Sequence, residues 1–199
     1  MSRRIQKVVV LLIALALILP VGAAGIFQLF SPSAATPAQQ AENRVQERVD
    51  PASQPKPSPT TPPAAPEKLG EDSEAGAEQT ARYLLASYPY MNATGDIAPW
   101  QAHTADDCQP CQALIGNTVL LHKQGGYQVD GKFNVNDAAA TRKKDGTVLV
   151  TLAYTSDPAV IVEEPTLPAR REEGTTGSVD ITLRWDGKAW RAIAMSLGE

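Results

Sequence analysis

Residues 106–116, DDCQPCQALIG, contain both cysteines of the chain, Cys108 and Cys111, with Gln109 and Pro110 between them. A pair at this spacing supports three chemistries: thiol–disulfide exchange, half of a metal site, or a structural disulfide. Zinc needs about four ligands, usually two such pairs. This chain has one pair and two histidines. His122 follows Cys111 by about 16 Å along a helix, too far to share an ion with it. Exchange is the stronger rival, because a cysteine at a helix N-terminus has its thiolate stabilised by free N–H groups. Exchange sites follow a strand in a βαβ unit, whereas this pair follows HTADD, with a helix upstream and the clear strands downstream. Asp106 and Asp107 also oppose thiolate formation. The favoured reading is a structural disulfide between Cys108 and Cys111, suited to an oxidising compartment.

Other chemistry-bearing residues are less organised. Glu163-Glu164 and Glu172-Glu173 are adjacent acids, which point to opposite faces of a strand or sit in a loop, so they read as solvated surface. No serine has the glycine-rich surroundings of a nucleophile elbow. Gly125-Gly126 reads as a helix stop rather than a phosphate loop, and Asn92-Ala93-Thr94 as a loop rather than a glycosylation site. Nothing here requires a metal or a cofactor.

The elements that must position these residues follow from composition and period. After MSRRIQK, residues 1–7, comes VVVLLIALALILPVGAAGIFQLF, residues 8–30, without a charge and long enough to cross a bilayer as a helix. Arg3, Arg4 and Lys7 precede it and no basic residue follows until Arg44, so the expected N-terminus is cytoplasmic and the rest lies outside. The rival is a cleaved signal peptide ending at Val21-Gly22-Ala23. Residues 31–70 are rich in proline and alanine and read as a disordered, solvated linker. A single domain is expected over 71–199. The chain carries 18 basic and 22 acidic side chains, and removing the three basic residues before the anchor leaves 15 against 22. That balance argues against nucleic acid as a partner.

Within the domain, Ala77, Ala81, Leu84, Leu85, Tyr88 and Met91 recur at helical spacing, with Glu78 and Arg82 paired on the outer face. The helix should start near Asp72 or Ser73 and stop before Thr94-Gly95-Asp96. A short helix over IAPWQAH follows, with Asp96 as its cap. A second long helix, capped by Asp106 or Asp107, should present Cys111, Leu114, Ile115, Thr118, Val119 and His122 as one face. After residue 126 the period becomes two. GYQVDGKFNVNDAAA reads as an irregular strand with a turn at Asp130-Gly131, KKDGTVLVTLAYT as a clear strand, PAVIVEE as a shorter one, and PTLPARREEGTTG as a polar loop. A closing hairpin with an Asp186-Gly187 type I′ turn has Val179, Ile181, Leu183 and Trp185 facing Trp190, Ala192 and Ala194. The order implies an α+β domain with helices packed on a curved antiparallel sheet, the cone of the nuclear-transport-factor-2-like (cystatin-like) class.

ARYLLASYPYMNATGDIAPWQAHTADDCQPCQALI, then GGYQVDG and WDGKAWRAIAM, resembles an actinobacterial family of exported proteins, domain-of-unknown-function family 6318, over roughly residues 77–196. The resemblance implies an extracytoplasmic location and this fold, and no known activity. Cones of this class often enclose a pocket. Its walls here would be Tyr83, Tyr88, Trp100, Tyr154 and Trp190, with Asp96 or His103 as the polar group. The expected function is a membrane-tethered, non-catalytic domain that contacts an envelope protein, a wall component or a small apolar ligand. The alternatives are a thiol–disulfide oxidoreductase using the cysteine pair and a small-molecule enzyme with its acid or base in the cone.

Overall fold

The longest helix among the described residues, α1 (Glu74–Thr94), starts where Ser73 turns extended and its Oγ accepts the Gly76 N–H at 3.0 Å. It ends at Gly95, whose φ of 77° belongs to the left-handed region that favours glycine. A Cβ at Gly95 would also lie 3.0 Å from the His122 ring, so the position is restricted twice over. Pro89 is accommodated without ending the helix. Glu78 and Arg82 make the expected pair at 2.8 Å. The computed structural model describes residues 48–198. The expected anchor at 8–30 and the first part of the expected linker lie outside the described residues. Among the described residues no helix is long and apolar enough to cross a membrane.

The short helix α2 (Ala98–Gln101) follows, and Asp96 Oδ1 accepts its first N–H, from Ala98, at 3.0 Å. Helix α3 (Gln109–Lys123) departs from expectation at its start. Cys108, rather than Asp106 or Asp107, takes the capping position in an extended conformation, and no side chain caps it. Pro110 lies in the first turn, where its missing N–H costs nothing. Cys111, Ile115 and Thr118 are buried, while Val119, placed on the same face by spacing, is 40% exposed. Gly125, with φ 76°, ends the helix as expected.

Among the described residues eight strands form two antiparallel sheets, where one curved sheet was expected. They are β1 (Arg48–Val49), β2 (Tyr127–Asp130), β3 (Phe133–Arg142), β4 (Val148–Ser156), β5 (Ala159–Val162), β6 (Ala169–Glu172), β7 (Thr176–Trp185) and β8 (Trp190–Leu197). The first sheet has the order β1-β6-β5-β2 and the second β3-β4-β7-β8. Asp130 (φ 59°) and Gly131 (φ 77°) are consecutive left-handed residues. They turn the chain out of β2 and into β3 of the other sheet, so the irregular strand foreseen here is two strands of different sheets. The polar loop PTLPARREEGTTG contains β6, which pairs with both β5 and β1.

The segment expected to be a solvated linker up to residue 70 is seated on the domain from residue 48. Beyond the β1–β6 pairing, Tyr127 donates its hydroxyl to Pro55 O at 3.0 Å and Asp130 N–H donates to Ser58 O at 2.9 Å. Just past the expected linker, Trp190 Nε1–H donates to Glu71 O at 2.9 Å. A chain without apolar periodicity still has backbone carbonyls to offer, and these hold it down.

The core lies between α1 and the second sheet. Leu84, Met91, Trp100, Val148, Val150, Leu152, Ile181, Leu183 and Trp190 are all fully or almost fully buried in it. The alternation in β4 and β7 is as expected, but β8 changes parity. A register shift opposite Thr182 and Leu183 pairs Leu183 with Ala192 and Thr182 with Ala194. One residue is thereby left over, so Ala194 faces out and Met195 packs on the core instead. The closing turn is also longer than two residues. Only Gly187 has positive φ there, excluding type I′. Asp186 holds the turn together by accepting the N–H groups of Lys188 and Ala189, each at 2.9 Å, and Arg191 Nε. The Arg191 guanidinium and these two N–H groups hold the Asp186 carboxyl far below its ordinary range.

Leu84→Ala should cost about 2–5 kcal/mol, because a buried leucine leaves a cavity. Leu197, 79% exposed, should tolerate alanine within about 0.5 kcal/mol. Urea unfolding of the two variants beside the parent checks both.

Candidate functional site

The sheets leave a cavity of about 370 Å³ where they meet α1 and α3. Its aromatic wall is Tyr88 from α1, Phe133 from β3 and Tyr154 from β4. Phe133 meets Tyr154 edge-on at 5.0 Å between centroids and Tyr88 at 6.2 Å. Its floor is Asn92 and Gln128, which are 7% and 6% exposed. The exposed part of its lining, its mouth, carries Asp157, Glu163, Glu172 and Glu173, with Arg170 half-buried. Arg170 pairs with Glu163 at 3.5 Å and with Glu172.

The floor is a chain of buried polar groups contributed by three elements. Thr118 Oγ1 of α3 donates to Asn92 Oδ1 of α1 at 2.6 Å. Asn92 Nδ2 donates to Gln128 Oε1 of β2 at 3.2 Å, and Gln128 Nε2 to Asp130 O at 3.0 Å. His122 Nε2 lies 2.9 Å from Asn92 O. A carbonyl only accepts, so the ring nitrogen donates, capping a carbonyl at the C-terminal end of α1. The corner where the chain passes between the sheets forms one side of the cavity. There Asp157 N–H donates to Lys132 O at 2.8 Å, and Ser156 N–H to Thr175 O at 2.7 Å.

Of the seven residues expected to surround a pocket, Tyr88 and Tyr154 line this cavity. Trp100 is buried behind Tyr88, their rings 5.9 Å apart. Tyr83 and His103 meet edge-on at 5.5 Å elsewhere, and Asp96 is exposed, accepting the Tyr90 hydroxyl at 2.9 Å. That bond, together with burial, raises the Tyr90 pKa. Trp190 packs in the core with the Arg142 guanidinium 5.2 Å from its ring centroid. Neither Asp96 nor His103 lines the cavity. The spacing of aromatic residues missed Phe133, and it gave no weight to Asn92 and Gln128. Asn92 could have been noticed as a carboxamide one turn after Tyr88 on the face that also carries Tyr88 and Met91.

Cys108 and Cys111 form a disulfide closing the first turn of α3, and both residues are completely buried. An exchange site needs an accessible sulfur. Of the four glutamates singled out in sequence, Glu163, Glu172 and Glu173 line the cavity and Glu164 does not. A second groove, of about 660 Å³, runs between the proline-rich segment and α1, lined by Pro59, Pro63, Ala86, Pro89 and Tyr90 among others. It lacks a buried polar floor, and the cavity between the sheets is the better candidate site.

Residues 47–196 match the family described as "Family of unknown function (DUF6318)". The chain belongs to this family. The DUF6318 match begins one residue before β1 and so takes in the proline-rich segment that the structure seats on the domain. No curated protein matches the chain. Among solved structures, the intermembrane space region of the chloroplast protein ARC6 is similar, with a TM-score of 0.50 and 12% identity over 63% of this chain and 95% of that one. At that identity the likeness shows the fold alone.

Two measurements follow from this geometry. Thr118→Val keeps the shape but leaves Asn92 Oδ1 buried without its donor, and should cost about 1–3 kcal/mol by urea unfolding. For His103, burial lowers the pKa from its ordinary value of 6.5, opposed by the bond to Trp190 O. The unfolded chain therefore takes up that proton first. The stability concerned is present above about pH 6.5 and lost as pH falls through the folded-state pKa. Unfolding midpoints should fall between about pH 7.5 and about pH 5.5, with a flatter profile in His103→Gln.

Proposed function

We propose that this chain is a membrane-tethered, extracytoplasmic, non-catalytic domain that binds a ligand of the cell envelope in the cavity between its sheets. The observation that carries the reading is the cavity itself: an aromatic wall, a buried carboxamide floor and a charged mouth, convergent from both sheets and two helices. Catalysis is not favoured by its lining. Ser156, the serine that lines it, is hydrogen-bonded to Thr175 rather than to a base. The burial of both cysteines speaks against thiol–disulfide exchange.

The tether and the location rest on the sequence, on the uncharged run 8–30 flanked by Arg3, Arg4 and Lys7. We read the two sheets and their helices as the cone of the nuclear-transport-factor-2-like class, and the protein as one of actinobacterial origin, as the resemblance implies. The half-polar lining favours a wall component with hydrogen-bonding groups over a small apolar ligand. Acidic charge at the mouth disfavours nucleic acid.

The full chain, held in an uncharged detergent, should show slowed amide exchange around residues 88–92 and 154–156 when cell-envelope extract is added. Asn117→Trp, an exposed change at the lip, should remove that protection by filling the mouth. Protection confined to other surfaces, or none, would sink the assignment. Protease added outside intact expressing cells should remove the domain; resistance there would count against the location.

A further inference from the structure

The wall, floor and mouth of the cavity differ in chemistry, and together they describe a class of ligand. This inference rests on the reading of the cavity as a binding site. On the floor, each carboxamide nitrogen carries two N–H groups. Asn92 gives one to Gln128 Oε1 and Gln128 gives one to Asp130 O. The second N–H of each has no acceptor among the described residues, and both side chains are more than nine-tenths buried while lining the cavity. Such donors suit the hydroxyl or carbonyl oxygens of a guest. The wall of Tyr88, Phe133 and Tyr154 offers ring faces and edges, onto which the C–H face of a saturated ring or a cation can pack.

The mouth sets the charge. Four carboxylates, of Asp157, Glu163, Glu172 and Glu173, stand against one guanidinium, which Glu163 and Glu172 already share. Anions are repelled. A metal ion is not served either, because no three His, Cys, Asp or Glu side chains among the described residues come together closely enough to hold one. Glu173 makes no ion pair among the described residues and is exposed, so its charge is available to a guest. A volume of about 370 Å³ is near the small end of ligand sites, which run from about 300 to about 1,000 Å³.

We infer that the cavity takes an amine-bearing polyol ring, an amino sugar in chemical class. The hydroxyls would meet Asn92 and Gln128, the C–H face the aromatic wall, and the protonated primary amine the carboxylate mouth. The ring is held by shape and hydrogen bonds, and the ammonium supplies the discrimination.

The test is calorimetric titration of the full chain in a polyoxyethylene detergent, which has neither charge nor sugar, with four probes. Glucosamine carries ring and amine, N-acetylglucosamine the ring without the charge, gluconate a polyol with a negative charge, and Nα-acetyl-lysine amide the amine without the ring. Glucosamine should bind once per chain, roughly tenfold more tightly than N-acetylglucosamine, with weakening in salt and no binding of gluconate. Glu173→Lys should weaken glucosamine roughly tenfold at an unchanged thermal midpoint. Should that variant be unstable, Glu173→Gln removes the same charge more gently. Equal binding of glucosamine and N-acetylglucosamine would overturn the cationic class while leaving a binding domain. Tighter binding of the lysine amide would move the amine from a sugar to a peptide and overturn the sugar class. Silence from all four would also overturn the inference, whereas the exchange experiment with envelope extract decides separately whether the cavity binds anything.

Discussion

Helix α1 is buried around most of its circumference, and the rest of the domain is arranged to cover it. Its buried residues include Ala77, Ala81, Leu84 and Met91 on one side and Tyr83, Ser87, Tyr90 and Ala93 on others. A helix of that kind cannot be satisfied by one layer. The second sheet covers one face, α2 and α3 another, and residues 68–71, a strap that follows the last proline, cross the N-terminal turn. The last contact is close enough that a Cβ on Gly76 would fall 2.2 Å from Glu71 O. Glycine at that place lets the strap lie on the helix. The strap in turn carries the carbonyl that receives the indole N–H of buried Trp190. Arg142 fastens the same end from β3, its N–H donating to Glu74 Oε1 at 2.7 Å and its guanidinium pairing with Asp72 at 2.9 Å.

At the other end of α1 the cover is incomplete, and the cavity is what remains. The chain leaves the first sheet after β2, returns to it after β4 and leaves again after β6, always through the corner formed by residues 130–132, 156–158 and 173–175. Two successive left-handed residues, Asp130 and Gly131, make the first passage. They also place the Asp130 carbonyl where Gln128 Nε2 reaches it at 3.0 Å. A Cβ on Gly131 would lie 2.4 Å from that same nitrogen. The turn that separates the sheets therefore also sets the Gln128 carboxamide in the floor, facing Asn92. Fold and site share these atoms.

Much of this was legible in sequence where one period governs burial. The helices showed because Ala77 to Met91 and Cys111 to Thr118 recur every three or four residues, and β4 and β7 because Val148 to Leu152 and Val179 to Leu183 alternate. Legibility failed where backbone rather than side chains makes the attachment. β6 reads ARRE, with no alternation to announce a strand, and its neighbour β1 has two residues. The proline-rich segment has the composition of a solvated linker, and composition does not count the carbonyls of Pro55 and Ser58. A single extra residue in β8 reversed the facing of Ala194 and Met195, which strict alternation cannot express. The site was half-legible for a related reason. Of the five aromatic residues expected as walls, Trp100 and Trp190 fill the core and only Tyr88 and Tyr154 reach the cavity. Asn92 sits in a triplet that reads as a loop and Gln128 in a segment that reads as an irregular strand, so spacing marks neither amide.

The cysteine pair can now be given its place in this arrangement. A bridge between residues three apart closes too short a loop to stabilise much through chain entropy. Its position matters more. Cys108 is the cap of α3 and Cys111 lies in its first turn, so the bridge sets how the chain enters that helix and which way its buried face is turned. Two turns beyond Cys111 on that face is Thr118, whose hydroxyl holds Asn92, and one turn further His122 closes over the Asn92 carbonyl. A rotation of α3 by one residue would swing both away from α1 by about 100° at 3.6 residues per turn. The motif that most resembles a reactive centre thus stands, as a buried bridge, at the head of the helix that holds the Asn92 carboxamide in the cavity floor.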